Sequence, residues 1–279
     1  MEEILREKME RLNRLLDEYG SVAVAFSGGV DSTFLAKASH DILGEKAVAI
    51  TIDSEAYPPN CIDDTQKIAA LIGIRLIVIR TRACSIPGFA ENGPERCYHC
   101  KKALFSLMRA KAREVGLSVL IDGSNADDAS DYRPGMRALS ELGVRSPLME
   151  AGFTKHDIRV SSRALGLPTW DHQSFACLAS RFPYGSCITP ELLERTWRAE
   201  AVMKDLGIKR YRVRNHGNLA RIELDPEDMN ILLSDSAARS NVVRRLKDLG
   251  FTYVALDLSG YRTGSMNEAL IKPGDAFKD

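Results

Sequence analysis

The chain has 279 residues, 44% hydrophobic and 27% charged, with 38 basic residues against 38 acidic ones. This is the composition of an ordinary globular protein, long enough for one large domain or two smaller ones. The charge balance provides no basic excess for nucleic acid, and no apolar run is long enough to span a bilayer, so neither partner is expected.

The opening Met1-Glu2-Glu3-Ile4-Leu5-Arg6-Glu7-Lys8 is too charged for a secretory signal, which leads us to expect a cytoplasmic protein. In that compartment the six cysteines, at 61, 84, 97, 100, 177 and 187, are ligands or reactive thiols rather than disulfides.

In chain order, residues 2–19 place Ile4, Leu5, Met9, Leu12, Leu15 and Leu16 on one helical face, and Gly20 stops that helix. Val22–Phe26 reads as a buried strand. A helix follows from near Asp31 to Leu43, then a strand over Ala47–Ile52 ending in Asp53-Ser54. Asp63–Ile72 is helical, Arg75–Ile79 a third strand, and 81–96 a loop with two prolines and two glycines. Lys101–Val115 is a helix, and Val119–Ile121 a fourth strand ending in Asp122-Gly123-Ser124-Asn125. A short helix is expected over Gly135–Leu142, a fifth strand over Val144–Leu148, and a helix capped by Thr154 running to Leu165. Alternating strands and helices specify the α/β class, with a parallel, doubly wound sheet.

After Pro168 the periodicity fades. Residues 169–188 read as an active-site loop and junction, and 189–279 as a small α+β domain for substrate or oligomer contacts, leaving 1–168 as the nucleotide domain. Thr189-Pro190-Glu191 opens a helix to about Leu206. Tyr211–Arg214 and Ala220–Leu224 read as strands, Glu227–Leu233 and Ala237–Leu249 as helices, and Tyr253–Leu258 as a last strand. The tail from Gly260 to Asp279 is expected to be poorly ordered.

Ser27-Gly28-Gly29-Val30-Asp31-Ser32 lies between the first strand and its helix. Two glycines let the backbone approach an anion, and the helix start offers N–H groups and partial positive charge. No Gly-Lys-Ser/Thr follows, so this is not the GxxxxGK[ST] loop. Ser27, Asp53 and Gly123 all sit at carboxyl ends of strands, where such sheets bind ligands. The plain alternative is a glycine-rich strand–helix turn.

The loop resembles the pyrophosphate loop of the PP-loop ATPases, SGGxDS, and with it their adenine-nucleotide α-hydrolase-like fold. The resemblance implies that ATP is split between its α and β phosphates to adenylate a substrate. Ser27 and Ser32 would bind phosphate oxygens beside Gly28 and Gly29, and Asp31 would approach Mg2+.

Cys97-Tyr98-His99-Cys100 leaves several readings open: a redox pair, half of a zinc site, part of an iron–sulfur site, or plain surface thiols. Cys177 is the best third ligand; His99 or His172 could complete zinc, and Cys187 is a reserve fourth. Tyr98 could stack on a substrate ring or simply pack. Arg181, four residues past Cys177, could depress a free thiol's pKa if the turn there is helical. Arg212 and Arg214, two apart on a strand, point to one face and could grip a phosphate, or form a solvated face with Glu223 or Asp225.

Four segments taken together resemble the LarE family of ATP-dependent sulfur transferases: the SGGVDS loop, Asp122-Gly123-Ser124-Asn125-Ala126-Asp127-Asp128, Ala176-Cys177-Leu178-Ala179-Ser180-Arg181 followed by Tyr184-Gly185, and Arg212-Val213-Arg214-Asn215-His216-Gly217 with Ala220-Arg221-Ile222-Glu223. Lys155-His156-Asp157-Ile158-Arg159 and Leu165-Gly166-Leu167-Pro168 fit the same pattern, so the likeness spans nearly the whole chain.

What it implies is adenylation of the carboxylates of a pyridinium biscarboxylate mononucleotide and replacement of oxygen by sulfur, for a nickel-pincer nucleotide cofactor. ATP would be held by the loop with Asp53, Ser54, Gly123, Asn125 and Asp128, and the substrate by Tyr98, Ser180, Arg181, Arg212, Arg214 and Glu223. In single-cysteine members the residue matching Cys177 gives up its own sulfur. Here Cys97 and Cys100 are also present, and the set resembles enzymes that hold a [4Fe–4S] cluster on three cysteines, with sulfide or another donor supplying the sulfur. We expect a homo-oligomer. The competing readings are a tRNA-thiolating PP-loop enzyme and a relative of the NAD and GMP synthetases with structural zinc.

Overall fold

The computed structural model describes residues 2–130, 134–172, 177–262 and 265–266; Ala176 and most of the expected tail, 263–264 and 267–279, lie outside them. Two compact units form. The first comprises 1–54, 59–86 and 97–175; the second comprises 55–58, 87–96 and 176–279.

The first unit starts with helix α1 (Glu2–Tyr19), then β1 (Val22–Ala25), α2 (Val30–Leu43), β2 (Ala47–Asp53), α3 (Cys61–Ile72) and β3 (Arg75–Arg80). It continues with α4 (Arg96–Glu114), β4 (Val119–Ile121), α5 (Pro134–Glu141), α6 (Pro147–Glu150) and α7 (Lys155–Ala164). Its four strands lie in the order β3-β2-β1-β4, all parallel. Strand side chains alternate between the two faces. Val22, Val24 and Phe26 with Ala47 and Ala49 pack against α1, α2, α3 and Ile158 of α7. Ala23 with Val48, Ile50 and Ile52 packs against Leu104, Met108 and Ala112 of α4 and Leu139 of α5. Helices therefore cover both faces, as a fully parallel sheet requires.

The sheet winds outward from β1 through β2 to β3, then returns to place β4 on the other side of β1. That reversal between β1 and β4 opens a crevice at the strands' carboxyl ends, and it is where such folds bind ligands.

Two sequence expectations need correction. Residues 144–148 form no strand. Arg145 alone bridges to Ile121, and Pro147, which has no N–H for a ladder, opens α6 instead. The helix expected from Lys101 begins at Arg96, so Cys97 lies in the first turn of α4 and Cys100 at the start of the second, rather than before the helix.

The second unit carries α8 (Pro190–Asp205), β5 (Tyr211–His216), β6 (Leu219–Leu224), α9 (Pro226–Ser234), α10 (Ser236–Asp248) and β7 (Tyr253–Leu256). Thr189 caps α8, its Oγ1 accepting from the Leu192 N–H at 3.3 Å, with Pro190 in the first turn. β5 and β6 pair antiparallel around Gly217, which takes φ +68°, and β7 adds parallel to β6 after α9 and α10. Val213, Ala220, Ile222 and Leu224 close a separate core with Ala199, Val202 and Met203 of α8 and Leu246 of α10. No helix among the described residues is long and apolar enough to cross a membrane.

Candidate active site

At the end of β1 the chain turns through Ser27, Gly28 and Gly29 into α2. Gly28 takes φ +73°, and a Cβ there would stand 3.0 Å from Thr65 Oγ1, so glycine is needed for both backbone and space. Ser32 closes the loop on itself: its Oγ lies 3.0 Å from Ser27 Oγ, accepts from the Ser27 N–H at 3.2 Å and reaches Gly29 O at 3.2 Å. Gly29 is the N-cap and supplies no side chain, so the first-turn N–H groups of α2 are presented without a side-chain cap. This is a cradle for anionic oxygen.

Gly123, just past β4, completes the cradle from the other side of the crevice. A Cβ there would lie 3.1 Å from Ser32 N and 3.3 Å from Asp31 Cβ. The neighbouring turn is held internally. Asp122 accepts from Ser124 Oγ at 2.5 Å and Ser146 Oγ at 2.6 Å. The Asn125 N–H donates to Asp128 Oδ2 at 3.0 Å, and Asn125 Oδ1 accepts from the Asp127 N–H at 3.0 Å.

Asp31, in the first turn of α2, is half of an ion pair that sequence reading did not single out. Lys155 Nζ, at the start of α7, is 2.5 Å from its Oδ2. Its other oxygen is buried with no hydrogen-bond partner. Burial pushes the Asp31 carboxyl up; Lys155 pulls it down, and Asp128 pushes it up again. A desolvated carboxylate oxygen with no donor, beside a second carboxylate and an anion cradle, suits a hard divalent cation such as Mg2+. Asp53 and Ser54 stand at the carboxyl end of β2, Asp53 Oδ2 3.5 Å from Arg80 Nε and Ser54 Oγ buried without a partner.

The CxxC pair lies on the outer part of α4, Cys97 exposed and Cys100 half-buried. One helical turn apart at a helix N-terminus, the two thiols have the spacing and dipole that favour thiolate ligands, so they fit half of a cluster or zinc site. Tyr98 turns to α5. Its hydroxyl donates to Glu141 Oε2 at 2.8 Å, and the Arg137 guanidinium covers its ring at 3.9 Å. Of the other thiols, Cys61 opens α3, Cys84 is in a turn after β3, and Cys187 is exposed. The His172 carbonyl accepts from Arg159 at 2.9 Å. Among the described residues no group of three or more His, Cys, Asp and Glu is arranged to hold a metal.

In the second unit Cys177 immediately precedes a single 3-10 turn, Leu178–Arg181. Arg181 Nη1 donates to Cys177 O at 3.2 Å and to Ser180 Oγ at 2.8 Å, while Nε and Nη2 grip Glu200 at 2.8 and 3.0 Å. Arg214 donates to Ser180 O at 2.9 Å and to Glu223 Oε2 at 2.6 Å. Glu223 is fully buried and also takes Arg221 at 3.0 Å on its other oxygen.

Arg212 differs from its neighbours: no carboxylate among the described residues lies within ion-pair distance. Its guanidinium donates to Tyr211 O at 2.7 Å, and Tyr261 lies against it. Burial and then the positive charge of Arg181 push its pKa down, so this cation is poorly compensated. Glu200 and Arg221 were not legible as site residues, because a lone Glu on an amphipathic helix and one more strand Arg carry no spacing signal.

No protein-family model matches the chain. An uncharacterised protein of Synechocystis is 43% identical over 96% of this chain and 100% of its own length. The pyridinium-3,5-bisthiocarboxylic acid mononucleotide synthase of Lactiplantibacillus plantarum is 36% identical over 96% of both chains. The chain belongs to the LarE family. A glutamine-hydrolysing GMP synthase component from Sulfurisphaera tokodaii is 26% identical over 57% of this chain and 46% of its own. The LarE likeness therefore covers both units, whereas the likeness to the wider PP-loop group covers little more than half of the chain. An ATP-dependent enzyme is what these relatives support.

Proposed function

We propose that this protein adenylates the carboxylates of pyridinium-3,5-biscarboxylate mononucleotide with ATP and converts them to thiocarboxylates, for nickel-pincer nucleotide cofactor synthesis. The observation that carries the reading is the 36% identity to the synthase over 96% of both chains, with the SGGVDS loop folded as an anion cradle within it. A tRNA-thiolating enzyme finds less support, given equal numbers of basic and acidic residues.

A carboxylate lacks a good leaving group. Its oxygen attacks the α-phosphate of ATP, releasing pyrophosphate and leaving an acyl-adenylate. A sulfur nucleophile then attacks the acyl carbon, the C–O bond to AMP breaks, and a thiocarboxylate remains. Ser27, Ser32 and the first-turn N–H groups of α2 would hold the departing pyrophosphate, with Gly28 and Gly29 giving the approach. Asp31 would hold Mg2+, which when bound offsets charge on the phosphates. Asp128 stands beside Asp31, and Asp53, Ser54, Gly123 and Asn125 would contact the rest of the nucleotide. In the second unit, Arg212, which has no carboxylate within ion-pair distance among the described residues, is the first candidate for the substrate's phosphate. Arg181 and Ser180 shape the turn after Cys177, and Arg214 with Glu223 braces it.

Cys97, Cys100 and Cys177 would hold a [4Fe–4S] cluster. When bound, that cluster supplies a site for exogenous sulfide, and Cys177 acts as a ligand rather than the donor. The CxxC, two thiols one turn apart at the α4 N-terminus, supports this. The test is anaerobic reconstitution with iron and sulfide, followed by turnover and intact mass analysis. An unchanged Cys177 with AMP release sustained by sulfide is expected. Loss of one hydrogen sulfide from Cys177 in metallated, active protein would replace the cluster with a sacrificial cysteine. No AMP release with this substrate would overturn the function itself.

A further inference from the structure

Residues 87–96, read from sequence as plain loop, belong to the second unit and are built around one unusual backbone position. Asn92 is the single non-glycine residue with positive φ, +52°, among those described, and it is fully buried. A residue held in this sparsely populated conformation persists only where its surroundings over-determine it, and such positions gather at functional sites.

The surroundings here are the segment that follows Cys177. The Asn92 side-chain Nδ2 donates to Pro183 O at 2.7 Å, and the Asn92 carbonyl accepts from the Gly185 N–H at 2.9 Å. Asn92 Oδ1 accepts from Arg96 Nη1. The same Arg96 nitrogen donates to Ala179 O at 2.9 Å, and the guanidinium lies over the Tyr184 ring at 5.8 Å. Arg96 is 6% exposed and Ala179 not at all. A further backbone bond, from the Ile188 N–H to Ala90 O at 2.8 Å, extends the seam.

We propose that Asn92 and Arg96 are positioning residues for sulfur transfer. They form a two-residue clamp that fixes the 3-10 turn after Cys177, and with it the direction in which the Cys177 sulfur is presented. The inference rests on the reading, proposed above, of Cys177 as a ligand at the sulfur-transfer site. A planar Asn amide in the left-handed region meets donor and acceptor demands at once. Arg96 Nη1, with its two N–H bonds, then joins that amide to the turn's carbonyl, and the planar guanidinium lies over the Tyr184 ring, an orientation that a freely rotating lysine ammonium does not keep. Neither residue reaches a reacting atom. Their effect is on orientation, where a displacement of about 1 Å is worth up to roughly a hundredfold in rate.

The test uses the full chain with Asn92→Gly, which keeps the backbone conformation and deletes the amide, and Arg96→Lys, which keeps the charge. Asn92→Asp, which keeps only the acceptor for Arg96, covers the case in which the glycine variant fails to fold. Two quantities are read in folded protein: the iodoacetamide labelling rate of Cys177 by peptide mass spectrometry in iron-free protein without nucleotide, and kcat and KM for thiocarboxylate formation after reconstitution with iron and sulfide. The expected result is a Cys177 labelling rate changed about fivefold or more and kcat lowered about tenfold or more, with the KM for ATP unchanged. Labelling and kcat both within about twofold of wild type would overturn the clamp, as would a kcat loss matched by an equal rise in the KM for ATP. The labelling arm does not depend on what Cys177 does. If it shifts as expected while Cys177→Ser turns over at the full rate, the clamp stands as structure and the sulfur-site reading is what fails, overturning the positioning role.

Discussion

Asp31 is placed where a carboxylate is least comfortable without a ligand. Burial raises its pKa, and Lys155, with a smaller contribution from Arg159, relieves it only in part. A carboxyl whose folded pKa lies above its unfolded value of 3.8 favours the folded state at pH below that value, and this contribution is lost as pH rises through the raised one. At neutral pH Asp31 therefore works against folding. Asp31→Asn should leave Tm unchanged or higher while pyrophosphate release falls about a hundredfold or more, read by calorimetry and a coupled phosphate assay. A lower Tm with residual activity would mean that the residue is structural. The cradle was legible in sequence because its glycines and hydroxyls are contiguous. Lys155 was not, because it meets Asp31 from 124 residues away and its own surroundings look like an ordinary helix start.

At the scale of elements, α7 delivers Lys155, and its start is secured by a capping box. Thr154 Oγ1 accepts from the Asp157 N–H at 3.2 Å, and Asp157 Oδ2 takes the Thr154 N–H at 2.9 Å and Lys8 Nζ at 2.6 Å. Burial would raise the Asp157 carboxyl, but Lys8 and Thr154 hold it below its usual 3.8. Its stabilising contribution is full above 3.8 and lost as pH falls through the lower folded value. Asp157→Ala should cost about 1 kcal/mol in urea unfolding at pH 7, and the gap to wild type should close below about pH 3.8. A gap unchanged at low pH would remove charge from the explanation.

The β5–β6 hairpin makes a different point. Alternation correctly put Arg212 and Arg214 on one strand, two residues apart, but could not say which was engaged. Arg214→Ala removes one of the two arginines that hold the fully buried Glu223, leaving Arg221 on its other oxygen, and should destabilise by about 1.5–3 kcal/mol. Arg212→Ala should leave stability near wild type and weaken binding of the mononucleotide, seen by calorimetric titration. Equal effects of the two substitutions on stability would erase the distinction. The start of α4 was misplaced for a related reason: Cys97 to Lys102 carry no apolar periodicity, so the helix became visible only from Leu104 onward.

For the whole molecule, the parallel sheet covered on both faces follows from strands alternating with helices, and most of the strands were legible; their order, β3-β2-β1-β4, was not. The composition of the second unit was not, since a linear reading assigns residues to domains in contiguous runs, whereas 55–58 and 87–96 join 176–279. A fragment ending at residue 168 keeps the first unit's sheet but removes Ala179, Pro183, Gly185 and Ile188, the partners of 87–96. Limited proteolysis with mass mapping should find 87–96 cut readily in the fragment and protected in the full chain. Equal protection would show that the segment is ordered by its own sequence.

The same interleaving sets an order of events during synthesis. Asn92 and Arg96 leave the ribosome about 80 residues ahead of the turn they grip. At roughly 5–20 residues per second, they wait on the order of 4–16 s. The parallel sheet has all its strands by Ile121 and can collapse within that interval, while residues 87–96 still lack Ala179, Pro183, Gly185 and Ile188, their hydrogen-bond partners in the finished protein. Nascent chains stalled between about residues 125 and 175 would thus carry a nearly complete nucleotide unit with one loop, holding Phe89, still unpartnered, a natural target for chaperone capture.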